Sequence, residues 1–457
     1  MESDLSFLKR IPRRIMVGMH TLDYDQLPPE YHEAREAGRA PAIFEKLDVD
    51  AHVEAMKDAH VQAFWFYSKG GGGNAFYPTQ IGHMHSALNG WDFFGEMCEK
   101  CLSAGITPLC IYESSDRRQR DEHPEWCGQT VEMLRGECDL DGRTVPSAWG
   151  EEYGDYLIEQ TREVLKTYPV KAYYVDAIGG STRNGRLISP GNYAAFREQF
   201  GFDFPGVDKL TDAQYTAYIR WIIARIRNYL AKVRAVAKEL RPDVAFTYNY
   251  VGIPEVCDFV TCDLFPLNSG KLNLESSLRR NAVLSSVKPG EALLDTVDNK
   301  EVLSAKGLDG YRAELWTARS LNVATCASFV MPLDGSMLTP QFELTNKVFT
   351  EQRAYEEWFE EMEPVEQIGI VNSHDSRKFR PGDPELRRRH QREYEGWVQA
   401  ATAGGRLWGY VDDHNMTSER FEGLDILILG NASCMRVDQV AAVRDFVQTG
   451  GTLIMTG

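Results

Sequence analysis

Short runs rich in Val, Ile, Tyr and Phe alternate along the chain with longer stretches in which apolar residues return every three or four positions. The first pattern predicts strands buried on both faces, and the second predicts amphipathic helices laid over them, the alternation of parallel βα units. Strands are predicted at 15–19, 62–67, 107–112, 171–176, 244–249, 258–263, 291–296 and 324–330, with helices at 91–104, 150–168, 213–239, 275–286, 311–321 and 341–361. Eight strands and their helices suit a (β/α)8 TIM barrel with insertions better than a doubly wound open sheet. Beyond Glu363 and Pro364 the pattern restarts with strands at 367–371, 407–411, 425–429 and 452–455 and helices at 393–403 and 437–449. That spacing predicts a partial flavodoxin-like α/β domain. The expected division is therefore 1–363 for the barrel and 364–457 for the second unit. The last predicted strand stands directly before Gly457, and a doubly wound sheet needs more strands to cover it, so the second unit is expected to be truncated.

Polar and ionisable residues cluster where the predicted barrel strands end: His20 and Asp23, Lys69, Glu113 and Asp116, Asp176, Asn249, Asp263, Asp295 and Asp298. The C-terminal ends of barrel strands converge on one face, where catalytic groups gather, so this distribution predicts an enzyme. The face is also rich in aromatics, among them Trp65, Tyr67, Phe76, Tyr112 and Trp126. Paired carboxylates with aromatic platforms fit glycosidic bond cleavage, which needs one carboxyl group as nucleophile or base and another as proton donor. The candidates for that second carboxyl are Asp263, Glu275 and Glu113. His83 and His85 stand two apart, a spacing that points both the same way in an extended segment, and both are candidate sugar ligands. Trp65, Lys69 and Asn249 are candidate substrate contacts, and Trp126 a stacking wall. The run Gly70 to Gly73 lacks the Lys-Ser/Thr of a phosphate loop and is read as a mobile rim loop.

Composition narrows the partners. A formal net charge of −17 disfavours nucleic acid and anionic membrane, both held mainly by clustered Lys and Arg. The basic stretch Arg387 to Arg392 reads as a solvated helix start. The N-terminus lacks the layout of a secretory signal and no apolar run approaches bilayer length, so a cytoplasmic protein is expected. Nine scattered cysteines fit buried thiols rather than a disulfide framework. No zinc-site spacing accompanies Cys98 and Cys101, so neither metal nor cofactor is expected.

Several segments carry a resemblance: Phe76 to His85 (FYPTQIGHMH), Trp91 to Ile106 (WDFFGEMCEKCLSAGI), His123 to Trp126 (HPEW), Val170 to Asp176 (VKAYYVD), Phe196 to Pro205 (FREQFGFDFP) and Met331 to Gly335 (MPLDG). In these the chain resembles glycosyl-hydrolase-like barrels related to retaining α-L-fucosidases. Leu424 to Gly430 (LDILILG) and Phe446 to Met455 (FVQTGGTLIM) resemble the β-galactosidase trimerisation domain. The resemblance implies a retaining exo-glycosidase on a terminal sugar, with an α-L-fucoside ahead of a β-galactoside. It also implies Asp176 as nucleophile, His20 as a ligand of sugar hydroxyls, a carbohydrate substrate, and a homotrimer where the second domain is complete. The chain departs from family forty-two β-galactosidases in lacking their zinc-binding cysteine cluster, and no motif singles out the second carboxylate. A catalytically inactive, sugar-binding barrel is the alternative from another functional class.

Overall fold

Strand β2 (Ala63–Lys69) is buried along its whole length, and β1 (Arg13–Gly18) likewise, because each carries side chains into the barrel interior on one face and against helices on the other. The computed structural model describes residues 12–178, 188–249, 253–264, 267–268, 271–272, 282, 290–295, 297–299, 304–305, 307–359, 362–378 and 384–457. The other barrel strands are β3 (Thr107–Glu113), β4 (Ala172–Asp176), β5 (Ala245–Tyr248), β6 (Val260–Leu264), β7 (Gly290–Asp295) and β8 (Ala324–Val330). They pair in parallel in the order β5-β4-β3-β2-β1-β8-β7-β6. Among the described residues the seam between β5 and β6 is joined by the parallel bridge Asn249↔Thr261 and by Thr247 Oγ1 donating to Phe259 O at 2.8 Å. The barrel is thus nearly closed. All eight predicted strands are present.

Helices α1 (Val49–Asp58), α2 (Phe93–Ser103), α3 (Glu151–Thr167), α4 (Pro190–Phe200), α5 (Asp212–Leu240), α6 (Leu308–Ser320) and α7 (Thr339–Arg353) pack outside the strands. Their starts follow local chemistry: Asp48, Asp92 and Ser189 cap free N–H groups, and Thr211 with Gln214 forms a capping box. The single helix expected over 341–361 is instead interrupted after Arg353, with a short turn of helix following at Glu356–Phe359. Apart from Ala282, which is helical and buried, the helix expected at 275–286 lies outside the described residues. Helix α5 has 29 residues, about 43 Å at about 1.5 Å per residue, longer than a barrel strand needs.

A smaller sheet of β9 (Ile368–Val371), β10 (Trp408–Val411), β11 (Ile426–Gly430) and β12 (Thr452–Thr456) is all parallel in the order β10-β9-β11-β12. Alternation along the strands feeds two cores. Val371, Leu427 and Leu429 meet Val443 and Phe446 of α9 (Val437–Gln448), whereas Ile370 and Ile428 meet Tyr394 and Val398 of α8 (Pro384–Ala403). This is the flavodoxin-like winding. Helix α8 begins earlier than expected and takes in the basic stretch, with Arg388 and Arg389 exposed while His390 is buried and bonds Gly430 O through Nδ1 at 2.7 Å. Cys98, Cys101, Cys110, Cys127, Cys257 and Cys326 are buried thiols outside any disulfide. Among the described residues no helix is long and apolar enough to cross a membrane.

Candidate active site

Asp176 is the last residue of β4, at the C-terminal mouth of the barrel, and is partly buried. Its Oδ1 accepts from Ala177 N at 2.7 Å, from Asn249 Nδ2 at 3.0 Å and from the Tyr174 hydroxyl at 3.4 Å. Its Oδ2 accepts from the Tyr67 hydroxyl at 3.3 Å. One oxygen is therefore anchored three times and the other held by one long bond. Ala177 has φ +59°, a left-handed conformation costly for a residue with a Cβ, and such strain clusters at functional sites. His20, exposed at the end of β1, meets the Tyr67 ring edge-on with centroids 5.2 Å apart.

Glu113 ends β3 in register with Asp176, so the two carboxyl-bearing residues are neighbours across one ladder. Glu113 Oε1 accepts from Ser115 Oγ at 2.6 Å and Ser115 N at 3.2 Å. Burial first, and the charge of Asp176 second, push its carboxyl up to about 7, against the Ser115 hydrogen bonds and the nearby Lys69 ammonium. Near neutral pH the pair thus presents one proton-holding carboxyl beside a hydrogen-bonded one.

The glycine run is a packed layer over this pair, which corrects the expectation of a mobile rim: Gly70, Gly72 and Gly73 are buried. A Cβ on Gly70 would lie 2.7 Å from Met19 O, and one on Gly73, whose φ is +89°, would overlap Asp116 Oδ1. Gly73→Ala is therefore expected to lower stability by about 1 kcal/mol or more, read from the urea midpoint. Arg118 locks the same layer to the loop after β1, donating to Asp23 Oδ2 at 3.0 Å, to Asp25 Oδ2 at 2.9 Å and to Asn74 Oδ1. Burial alone would raise the Asp23 pKa, but Ser86 O–H and N–H, His85 and Tyr24 N–H hold it below the usual value.

Three expected sugar contacts are turned away from solvent. Trp65 is 1% exposed, inside the barrel, with Nε1 donating to Glu291 Oε1 at 3.0 Å. Lys69 is 0% exposed, its Nζ donating to Glu113 O at 2.8 Å and Ser115 O at 3.1 Å and standing 3.3 Å from Asp116 Oδ2. It braces the β3 loop. His85 is also fully buried, between Phe44 and Phe76, and burial lowers its pKa against the pull of Asp23. His83 is partly exposed and lies 3.1 Å from Glu122, so the two histidines part company. Trp126 is partly buried; His123 stacks on it with ring centroids 3.8 Å apart, and Tyr153 and Tyr156 tilt against it. Asp263 lies one residue before the end of β6 and its side chain is outside the described residues, as is the whole of Glu275. The Tyr67 and Tyr174 hydroxyls on Asp176 were not expected, although Tyr174 stands two residues before Asp176 in the same strand and so shares its face.

This mouth falls at the end of a segment with a known counterpart. Residues 48–177 match the family model for hypothetical glycosyl hydrolase 6. The match runs from α1 through β4, three of the eight barrel strands, and takes in Tyr67, Glu113 and Asp176, so the segment that carries the carboxyl pair is glycosyl-hydrolase-like. No curated protein sequence matches the chain. Among solved structures, α-L-fucosidase isoenzyme 2 from Paenibacillus thiaminolyticus superposes with a TM-score of 0.76 at 17% identity, over 98% of this chain and 64% of its own. The β-galactosidase from Rahnella sp. R3 gives 0.70 at 12% identity, over 100% and 72%. The β-galactosidase from the psychrophilic Marinomonas ef1 gives 0.68 at 10%, over 97% and 75%. At these identities the likeness is one of fold: a barrel and a second parallel sheet in one chain. The chain spans 64% of the length of the fucosidase.

Proposed function

We propose that the chain is a retaining exo-glycosidase in which Asp176 attacks the anomeric carbon of a terminal sugar, an α-L-fucoside before a β-galactoside. The carrying observation is the asymmetric hold on Asp176. With Oδ1 anchored by Ala177, Asn249 and Tyr174, Oδ2 is the oxygen left to bond the sugar, and fixing a nucleophile this way lowers the entropic cost of attack. The glycosyl ester so formed is then cleaved by water. The glycosyl-hydrolase-like segment around the site supports this reading, and the fucosidase neighbour sets the order in which sugars are tried. The β-galactosidase neighbours make galactosides the second choice. The chemistry draws on carboxyl groups alone and calls for no cofactor. Residues 1–363 are the catalytic unit in this reading, and 364–457 are an assembly unit like the trimerisation domain of β-galactosidases.

The test is turnover of a panel of nitrophenyl glycosides by the intact chain, followed by trapping with a 2-fluoro analogue of the sugar cleaved and peptide mapping of the adduct. An adduct on Asp176 is expected; an adduct elsewhere, or an inverted product, would overturn the assignment.

Glu113 is the proton donor in this reading, because it keeps its proton near neutral pH beside the nucleophile. Its raised pKa has a sign for both rate and stability. Activity should fall as pH rises through about 7, and the stability that goes with the protonated form is complete below the ordinary carboxylate range and lost on the same rise. Glu113→Gln should remove that alkaline limb and cost about 10²- to 10⁴-fold in kcat. A wild-type rate flat through pH 7 would pass the role to Asp263 or Glu275.

A further inference from the structure

Asp116 carries a buried charge that the packing around it does not require. Lys69 Nζ donates to Glu113 O at 2.8 Å and to Ser115 O at 3.1 Å, and the Tyr153 hydroxyl donates to Ser114 O at 2.6 Å, so buried side chains already tie down three successive carbonyls at the end of β3. Asp116 adds no hydrogen bond to that brace. Its Oδ2 stands 3.3 Å from Lys69 Nζ but outside hydrogen-bond geometry, buried and with no donor, while its Oδ1 caps Gln119 N at 2.9 Å, a task asparagine performs equally well. Lys69 and Asp116 are both 0% exposed. A buried carboxylate oxygen without a donor is costly, and neither brace nor cap calls for its charge.

The neighbour on which that charge tells is Glu113, itself 5% exposed. The glycine layer closes over it, since a Cβ on Gly71 would lie 3.5 Å from its Cγ and 3.7 Å from its Cδ. Asp176 faces it from β4, Lys69 from β2 and the Tyr153 phenol from α3. Tyr153 faces Asp116 as well, and burial first, with the charge of Asp116 second, keeps it a neutral donor. Lys69 is the cation of this group. An ammonium with no counter-charge, in a place closed to water, holds a neighbouring carboxyl ionised, and an ionised carboxyl has no proton to give a leaving group. Asp116 stands against the same ammonium and offsets its field.

We propose that Asp116 is a positioning residue acting through Lys69: its charge cancels that of the ammonium, so that Lys69 ties down the end of β3 without drawing the proton off Glu113. The donor role of Glu113 rests on the glycosidase reading above, whereas control of its proton by the Lys69–Asp116 pair does not. The test therefore follows the Glu113 carboxyl itself, in the intact chain without substrate, by carbon-13 NMR of labelled glutamate side chains, its signal identified by its loss in Glu113→Gln. Asp116→Asn keeps the shape and the cap, and is expected to lower the titration midpoint by about one pH unit from about 7. Lys69→Met is expected to raise it by a similar amount, and the double variant, which leaves no buried charge unpaired, to fall between the two. Opposite directions are what an electrostatic role requires and a purely structural one does not produce. Midpoints that stay in place, or that move the same way in both single variants, overturn the proposal. Should Lys69→Met fail to fold, a double variant that does not titrate above Asp116→Asn overturns it as well. Where a glycoside is cleaved, the alkaline limb of kcat/KM is expected to move with the midpoints. Midpoints that move under a limb that stays put uphold the pair's hold on Glu113 and take the donor role away from it.

Discussion

Asp176→Gly is expected to lower hydrolysis by about 10⁴-fold or more, with azide restoring much of the rate and giving a glycosyl azide of inverted anomeric configuration. The reasoning follows from where the side chain stands. Removing it deletes the oxygen that forms the ester and leaves room beside Asn249 and the Tyr67 and Tyr174 hydroxyls, which held the carboxylate and would now face a small anion. Rescue by azide needs that room and those donors. Asp176→Asn should be equally slow but poorly rescued, because the amide fills the space. If Asp176→Gly kept more than a tenth of the activity, the nucleophile would have to be sought elsewhere on the mouth.

The largest expected loss of stability lies at the opposite end of the barrel. Glu291, second residue of β7, accepts from Arg14 Nη1 at 2.5 Å, from Trp65 Nε1 at 3.0 Å and from Thr261 Oγ1 at 3.2 Å, and both members of the ion pair are fully buried. Glu291→Ala strips the carboxylate from the Arg14 guanidinium and from an indole N–H, in a place water does not reach. Breaking a buried pair from one side costs about 3–5 kcal/mol, a large part of the roughly 5–15 kcal/mol that holds a domain folded. Urea unfolding should show it. The double change Arg14→Met with Glu291→Leu should cost much less than the sum of the single changes, because no buried charge is left over. A loss under about 1 kcal/mol for Glu291→Ala would mean that the interior relaxes or hydrates around Arg14.

How far the sequence could be read depended on the kind of question. Strands such as Ala63–Lys69 are legible because burial on both faces writes an unbroken apolar run. Asp176 and Glu113 were legible as strand-end carboxylates, and the register then set them side by side. Depth was not legible. Lys69 and His85 lie near the same strand ends and Trp65 near the start of its strand, but whether a side chain faces the interior, the layer beneath the loops or solvent depends on barrel tilt and loop packing that no local spacing encodes. The glycines misled for a related reason. Four in a row suggest freedom, yet here they allow backbone to come closer to Met19 and Asp116 than any side chain would permit. The capping box at Thr211 is the opposite case, a purely local signal that the fold honours.

Asn249 occupies two roles at once: it bridges β5 to Thr261 across the weakest seam of the barrel, and it hands an N–H to Asp176. Orientation of the reacting group is therefore mechanically coupled to closure of the cylinder. A molecule whose seam has unzipped by one residue would keep nearly all of its helices and its second sheet while its carboxylate loses one of the three bonds that anchor Oδ1. Loss of competence on warming should then run ahead of any spectroscopic sign of melting, with the seam acting as a fuse.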